Sequence, residues 1–326
     1  MPANLTAVSG TGREQERVET NDSGGPPRHD VPRDGRSGFV VVGDGRQVHY
    51  LEWGRPSAPP VVCLHGGGQT AYMFEDLGAA LRDRYWVLAP DLPGHGDSDV
   101  VEGVAMAHAG FAASLSAVLD EFGIDRAAFV GASLGGMTSI ALADLRPDLV
   151  SCISLIDVGH KLEPEGVRKI VDFMTEHDSF ASLEEAADAI GEYLPQRRAP
   201  RIESLTRNLR QRPDGRWEWK HAVGRRMRER RAETGDASHP ADRLDEILAG
   251  VEDAAARLRC PVLVLRGERS DVLSSSGAEE VAALIPDARL EVVERAGHLA
   301  AGDNPHSTTG RIESFLSEVW PGAGSA

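Results

Sequence analysis

Acyl transfer to water requires a nucleophile, a base to take its proton, a group that orients the base, and donors for the oxyanion. Residues scattered along this chain can fill all four roles. Ser133 stands in Gly131-Ala-Ser-Leu-Gly135, between the apolar run Ala127-Ala-Phe-Val130 and the helical pattern Met137-Thr-Ser-Ile-Ala-Leu-Ala143. A serine on so sharp a strand-to-helix turn has strained backbone angles, and its neighbours two residues away must lack Cβ for the chain to fold back. The helix start leaves the Leu134 N–H free to hold negative charge. His298, in Ala296-Gly-His-Leu-Ala300 just after the last apolar run, is the candidate base. Two acids compete to orient it. Asp271, in Arg266-Gly-Glu-Arg-Ser-Asp-Val-Leu273, follows the next-to-last apolar run, and Asp157 ends the one before. Either place can bring a carboxylate to the far ring nitrogen of His298. Asp271 is preferred, with Asp157 otherwise shaping a hinge, and the order Ser, Asp, His holds for both. The second oxyanion donor is the N–H of Gly67 in His65-Gly-Gly-Gly68, where the missing side chains let the backbone approach a substrate.

The same stretches carry other residues that could be mistaken for chemistry. His65 and His95 sit in glycine-rich loops and are expected to order backbone carbonyls there. Neither a Gly-Lys-Ser/Thr nor a G-x-G-x-x-G pattern follows Gly66–Gly68, so a phosphate loop is not indicated.

These residues need a scaffold, and the chain supplies one. Phe39–Val42 and Gln47–Trp53 flank Gly43-Asp-Gly-Arg46, a hairpin signal. Short apolar runs then recur at Val61–Leu64, Tyr85–Ala89, before Ser133, at Val150–Asp157, Pro261–Arg266 and Arg289–Val293, separated by helical patterns such as Phe74–Arg82 and Ala107–Phe122. Nearly continuous apolar strands alternating with amphipathic helices specify an α/β fold, a mostly parallel sheet covered on both faces. Ligands of such sheets bind beyond the carboxyl ends of the strands. His65, Asp91–Ser98, Ser133, Asp157, Asp271 and His298 all fall there.

Three regions frame that core. Residues 1–37 are polar and aperiodic and read as a disordered tail. Residues 38–158 and 241–326 form the α/β core. Between them, 159–240 breaks the alternation and reads as a helical cap, with helices at Gly166–Glu176, Leu183–Tyr193 and Arg201–Arg210 followed by Asp214–Lys220. Trp217 and Trp219 there, with Gly68, are candidates to line a substrate pocket. Residues 196–231 hold 13 Lys/Arg against 4 Asp/Glu, read as a solvated, salt-bridged face in preference to a lid that attracts anions. The chain as a whole carries a formal charge of −16, which argues against nucleic acid as a partner. Cys63, Cys152 and Cys260 lie in or beside apolar runs, without metal-type spacing, and read as core residues in a reducing compartment. With no membrane-length apolar run and no secretory leader pattern, a cytoplasmic location without membrane association is expected.

His65-Gly-Gly-Gly68, Asp91-Leu-Pro-Gly-His-Gly-Asp-Ser98, Gly131-Ala-Ser-Leu-Gly-Gly136 and Gly297-His298, in that order, resemble the α/β-hydrolase fold family from about residue 38 onward. The resemblance implies an eight-stranded sheet, a Ser-His-acid triad and hydrolase-type acyl transfer; the expectation drawn from all of these features is a serine hydrolase acting on a small-molecule carboxylic ester or lactone, with no cofactor and no metal. The same triad could serve thioester, C–C bond, perhydrolase or acyltransferase chemistry, and a non-catalytic ligand sensor is the alternative outside enzymes. Two departures stand out. Members with the acid after the penultimate strand often show Gly-x-x-Asp, whereas Ser270 holds that spacing from Gly267 and Asp271 comes one residue later. Epoxide hydrolases and haloalkane dehalogenases of this fold carry aspartate where this chain has Ser133, which sets it apart from their alkyl-enzyme chemistry.

Overall fold

The computed structural model of the protein describes residues 31–101, 108–195, 197 and 200–321. Eight strands form one sheet: β1 (Arg36–Val41), β2 (Gln47–Trp53), β3 (Pro60–Leu64), β4 (Trp86–Pro90), β5 (Ala127–Ala132), β6 (Val150–Ile156) and, after an insert containing β7 (Leu209–Gln211) and β8 (Trp217–Trp219), β9 (Val262–Gly267) and β10 (Ala288–Val293). Their spatial order is β1-β2-β4-β3-β5-β6-β9-β10. The hairpin β1–β2 joins antiparallel to β4, and every pairing from β4 to β10 is parallel.

The central strands are buried along their length and largely apolar because both of their faces are covered. On β5, Ala127 and Phe129 enter one core with Leu115 and Ile140 from the helices His108–Glu121 and Leu134–Leu145. Ala128 and Val130 point the other way, toward Leu77 and Phe315 of the helices Glu75–Leu81 and Pro305–Val319. The same alternation runs along β9, where Val262 and Val264 face the first core and Leu263 and Leu265 the second. Cys63, Cys152 and Cys260 are buried and unbridged, and burial raises all three thiols above the usual thiol range.

The first ordered strand starts at Arg36, so the expected tail boundary at residue 37 is too late. Arg33 anchors the approach: its N–H donates to Glu75 Oε1 (2.7 Å) and its carbonyl accepts from Trp53 Nε1 (2.9 Å). The rest of the expected tail, residues 1–30, lies outside the described residues, as do 102–107, where the helix expected from Ala107 would begin.

The segment between β6 and β9 contains the helices Pro164–Glu176, Leu183–Tyr193 and Val223–Thr234. The helix expected over Arg201–Arg210 is instead a 3-10 turn, Ile202–Arg207, running into β7. Asp214-Gly215 closes the β7–β8 hairpin with Gly215 at φ 83°, a turn that favours glycine. The insert has its own small core of Phe180, Ala186, Leu205 and Leu209. It is tied to loops at the carboxyl edge of the main sheet and to the start of the helix Glu75–Leu81. Ala222 N–H donates to Gly94 O (2.8 Å), Glu163 N–H donates to Val272 O (2.8 Å), Lys220 pairs with Asp97 (2.8 Å), and Arg207 makes a two-pronged pair with Glu75 (2.9 and 3.0 Å). Much of the insert's basic surplus is consumed locally, with Arg210, Arg212, Arg228 and Arg230 paired to Glu218, Asp214, Asp178 and Asp236. Among the described residues, no helix is long and apolar enough to cross a membrane.

Candidate active site

Ser133 follows β5 directly and holds φ 45°, ψ −113°, a conformation that a residue with a Cβ adopts only under constraint. The flanking glycines supply that constraint. A Cβ on Gly131 would lie 2.5 Å from Gly135 O, and one on Gly135 would lie 2.0 Å from Leu64 O. The turn is therefore closed by backbone packing against backbone. Ser133 is partly exposed, and its hydroxyl makes no hydrogen bond among the described residues.

The next strand ends in a second strained residue. Asp157, after β6, has φ 51° and is fully buried. Its Oδ2 lies 2.8 Å from His298 Nδ1 and 2.5 Å from Ser270 Oγ, and its Oδ1 accepts from Gly267 N–H at 2.9 Å. A carboxylate only accepts, so Nδ1 of His298 carries the proton and Nε2 is left with the lone pair in the neutral ring. Asp271 does not take part. Its side chain is 55% exposed and pairs with Lys169 at 3.1 Å. The preference for Asp271 is thus corrected to Asp157. The physical reason is the turn after β9: Ser270 Oγ accepts from Val272 and Leu273 N–H (3.2 and 3.1 Å) while donating to Asp157. Arg266 braces that turn by donating to Leu273 O (2.8 Å), and Asp271 is left facing outward.

His298 reaches the edge from the loop after β10. That loop passes so close to β9 that a Cβ on Gly267 would lie 2.1 Å from Gly297 O. Gly297 N–H donates to Asp303 Oδ2 (2.8 Å), and Arg197 from the insert binds both Asp303 and Leu299 O. The His298 ring is 11% exposed.

The loop after β3 runs alongside. A Cβ on Gly66 would be 3.5 Å from Ser133 Cβ, which sets the loop that continues into Gly67 beside the Ser133 turn. Among the described residues, neither the Gly67 nor the Leu134 N–H has a hydrogen-bond partner. His65 fixes this loop: Nδ1–H donates to Gly66 O (2.8 Å) and Nε2 accepts from Leu92 N–H (2.9 Å). Burial lowers its pKa although Asp91 and Gly66 O oppose the shift. Gly68 (φ 74°) lies under the insert, where an added Cβ would lie 2.3 Å from Met174 Sδ. Trp217 packs on the insert's own core, while Trp219 also stacks on His221 at 5.8 Å.

Among the described residues, His49, Asp91 and Asp97 bring three ligand-type atoms within 4.8 Å of one another. These atoms are already engaged. Asp91 Oδ2 accepts from His49 Nδ1 (2.6 Å) and Asp97 N–H (3.1 Å), and Lys220 holds Asp97. Burial would raise the Asp91 carboxyl, but the hydrogen bond and charge of His49, with His65 and the Ala71 N–H, hold it below the usual range. Gly96 completes the loop because a Cβ there would lie 1.8 Å from Asp91 Oδ2. The Asp91–Ser98 stretch is thus a buried structural knot under the insert.

The contribution of Ser270 was not anticipated from sequence. Its signal was present as a serine at the Asp position of the Gly-x-x-Asp spacing, three residues after Gly267 at the end of β9.

Residues 59–305 match the family described as alpha/beta hydrolase fold. The chain is 31% identical over 280 residues to Esterase Rv0045c of Mycobacterium tuberculosis, covering 82% of this chain and 86% of that one. It is 29% identical over 264 residues to a 3-hydroxybutyrate-oligomer hydrolase of Cupriavidus necator, covering 76% and 86%. An alpha/beta hydrolase from Novosphingobium aromaticivorans superposes with a TM-score of 0.71 at 29% identity, over 88% of this chain and 99% of that one. The chain belongs to the alpha/beta hydrolase fold family.

Proposed function

We propose that the protein is a serine hydrolase that cleaves a carboxylic ester or lactone through an acyl-enzyme. Ser133 Oγ attacks the carbonyl carbon while His298 Nε2 takes its proton. The Nδ1–H of His298 stays donated to Asp157, which stabilises the imidazolium as it forms. The N–H groups of Leu134 and Gly67 receive the oxyanion, each contributing on the order of 3 kcal/mol. His298 then returns its proton to the departing alcohol, and water repeats the sequence to release the acid. The insert acts as the cap over this edge.

The observation that carries the hypothesis is the buried Asp157–His298 pair at 2.8 Å on the strand next to the strained Ser133. Relatives named an esterase and an oligomer hydrolase support the reaction class. Turnover of a panel of esters, lactones and thioesters by the wild type and by Ser133→Ala tests it. Ester or lactone hydrolysis that disappears in the variant, with the melting transition retained, is expected; a variant that still turns over would refute the mechanism.

A further inference from the structure

Where the insert meets the core, three ring nitrogens are buried without a hydrogen-bond partner among the described residues: His95 Nε2, His221 Nδ1 and Trp219 Nε1. They belong to rings in contact, His95 to His221 at 6.4 Å and His221 to Trp219 at 5.8 Å between centroids. His95 is only 1% exposed. Leaving such groups unpaired is costly, so each calls for a partner.

The chemistry of that partner follows from the tautomers. His95 Nδ1 faces Pro93 O at 3.1 Å, and a carbonyl only accepts, so the proton is on Nδ1. Burial and the neighbouring rings of His65 and His221 keep His95 neutral, lowering its pKa to about 3. Its Nε2 is then a lone pair in search of a donor, whereas Trp219 Nε1–H is a donor in search of an acceptor. A carboxylate supplies only lone pairs and an ammonium only protons. A hydroxyl supplies both from one atom.

The cluster adjoins the proposed oxyanion loop. His221 Cδ2 is 3.6 Å from where a Gly68 Cβ would stand, and Gly66 adjoins Ser133. The Cα atoms of Gly66 and Gly68 are at most about 7 Å apart. We propose that this protein selects esters bearing a hydroxyl a few bonds from the scissile carbonyl, bound between His95 and His221 beside Trp219. The proposal rests on the serine-hydrolase hypothesis for Ser133, and the hydroxyl can come from the acyl or the alcohol side.

Two matched pairs separate these sources: 4-nitrophenyl 3-hydroxybutyrate against the butyrate, and 2-hydroxyethyl butyrate against ethyl butyrate. Each kcat/KM is divided by the ester's own rate with hydroxide. One pair is expected to favour the hydroxyl by about tenfold or more. The preference should shrink to about threefold or less in His221→Phe and in Trp219→Phe. Equal normalised values within both pairs for the wild type would overturn the subsite, a buried water then serving these nitrogens, while leaving hydrolysis at Ser133 intact. A preference unchanged in both variants would overturn it as well. Failure of the folded wild type to turn over any of the four esters would overturn the subsite together with the ester hydrolase hypothesis. The wild-type ratios decide even if a variant fails to fold.

Discussion

Replacing Asp157 by Asn removes one charge from a fully buried site that receives three donors: His298 Nδ1–H, Ser270 Oγ–H and Gly267 N–H. An amide has one oxygen. Whichever way it is turned, its NH2 faces a group that now donates: Gly267 N–H in one orientation, Ser270 and His298 in the other. In the second orientation His298 relieves the conflict by shifting its proton to Nε2, the atom that accepts the proton of Ser133 in the proposed mechanism. Loss of the correct tautomer and of imidazolium stabilisation in such a triad costs on the order of 10³–10⁴ in kcat, about 4–5.5 kcal/mol. Asp271→Asn removes only an exposed pairing with Lys169, for which an effect within about twofold is expected. The assay is steady-state hydrolysis of a 4-nitrophenyl ester by both variants, with thermal melting to confirm the fold. A loss smaller than tenfold in Asp157→Asn, or one above a hundredfold in Asp271→Asn, would refute the assignment of the acid.

Ser270→Ala should lower kcat about 10- to 100-fold, since a charge-assisted hydrogen bond to Asp157 is lost; kcat and KM measured beside the wild type check this, and an unchanged kcat would contradict the positioning role. Stability should fall on acidification, because burial holds His95 at about 3 and His221 at about 4, below the ordinary histidine value near 6.5. The unfolded chain binds these protons first, so the contribution is complete above about pH 6.5 and is lost as pH falls toward 4, by up to about 2.7 kcal/mol per pH unit for the two rings together; urea unfolding at pH 7, 6 and 5 measures it, and a flat profile would contradict it. Gly135→Ala should destabilise the fold by about 3 kcal/mol or more, read from the urea midpoint, because the new Cβ meets the Leu64 carbonyl at 2.0 Å.

The scaffold was legible because burial on both faces forces β5, and Val262–Leu265 of β9, to be apolar, and an uninterrupted apolar run is visible without neighbours. Ser133 was legible for a related reason: its turn demands glycine on both sides. The acid was harder. Asp157 and Asp271 both follow strands, and only the fold of the turn after β9, braced by Arg266 and Ser270, decides which faces His298. The insert was read as a helical cap with a helix over Arg201–Arg210 and no element assigned to Asp214–Lys220, yet Leu209–Gln211 and Trp217–Trp219 pair as strands. A Gly at φ 83° in Asp214-Gly215 marks that hairpin, but three-residue strands give too short a pattern for periodicity to register. Trp217 and Trp219 illustrate the remaining limit: composition marks both as pocket candidates and both pack on the insert's core, while only the structure shows that Trp219 also stacks on His221.

The most direct measurement is a crystal structure of the protein after reaction with a fluorophosphonate, which leaves a tetrahedral phosphonyl group as a stand-in for the transition state. The expected result is a covalent bond from phosphorus to Ser133 Oγ, the phosphonyl oxygen within hydrogen-bond reach of the Leu134 and Gly67 N–H groups, and His298 Nε2 directed at the adduct. An adduct on another residue, or His298 turned away from a labelled Ser133, would contradict the proposed chemistry.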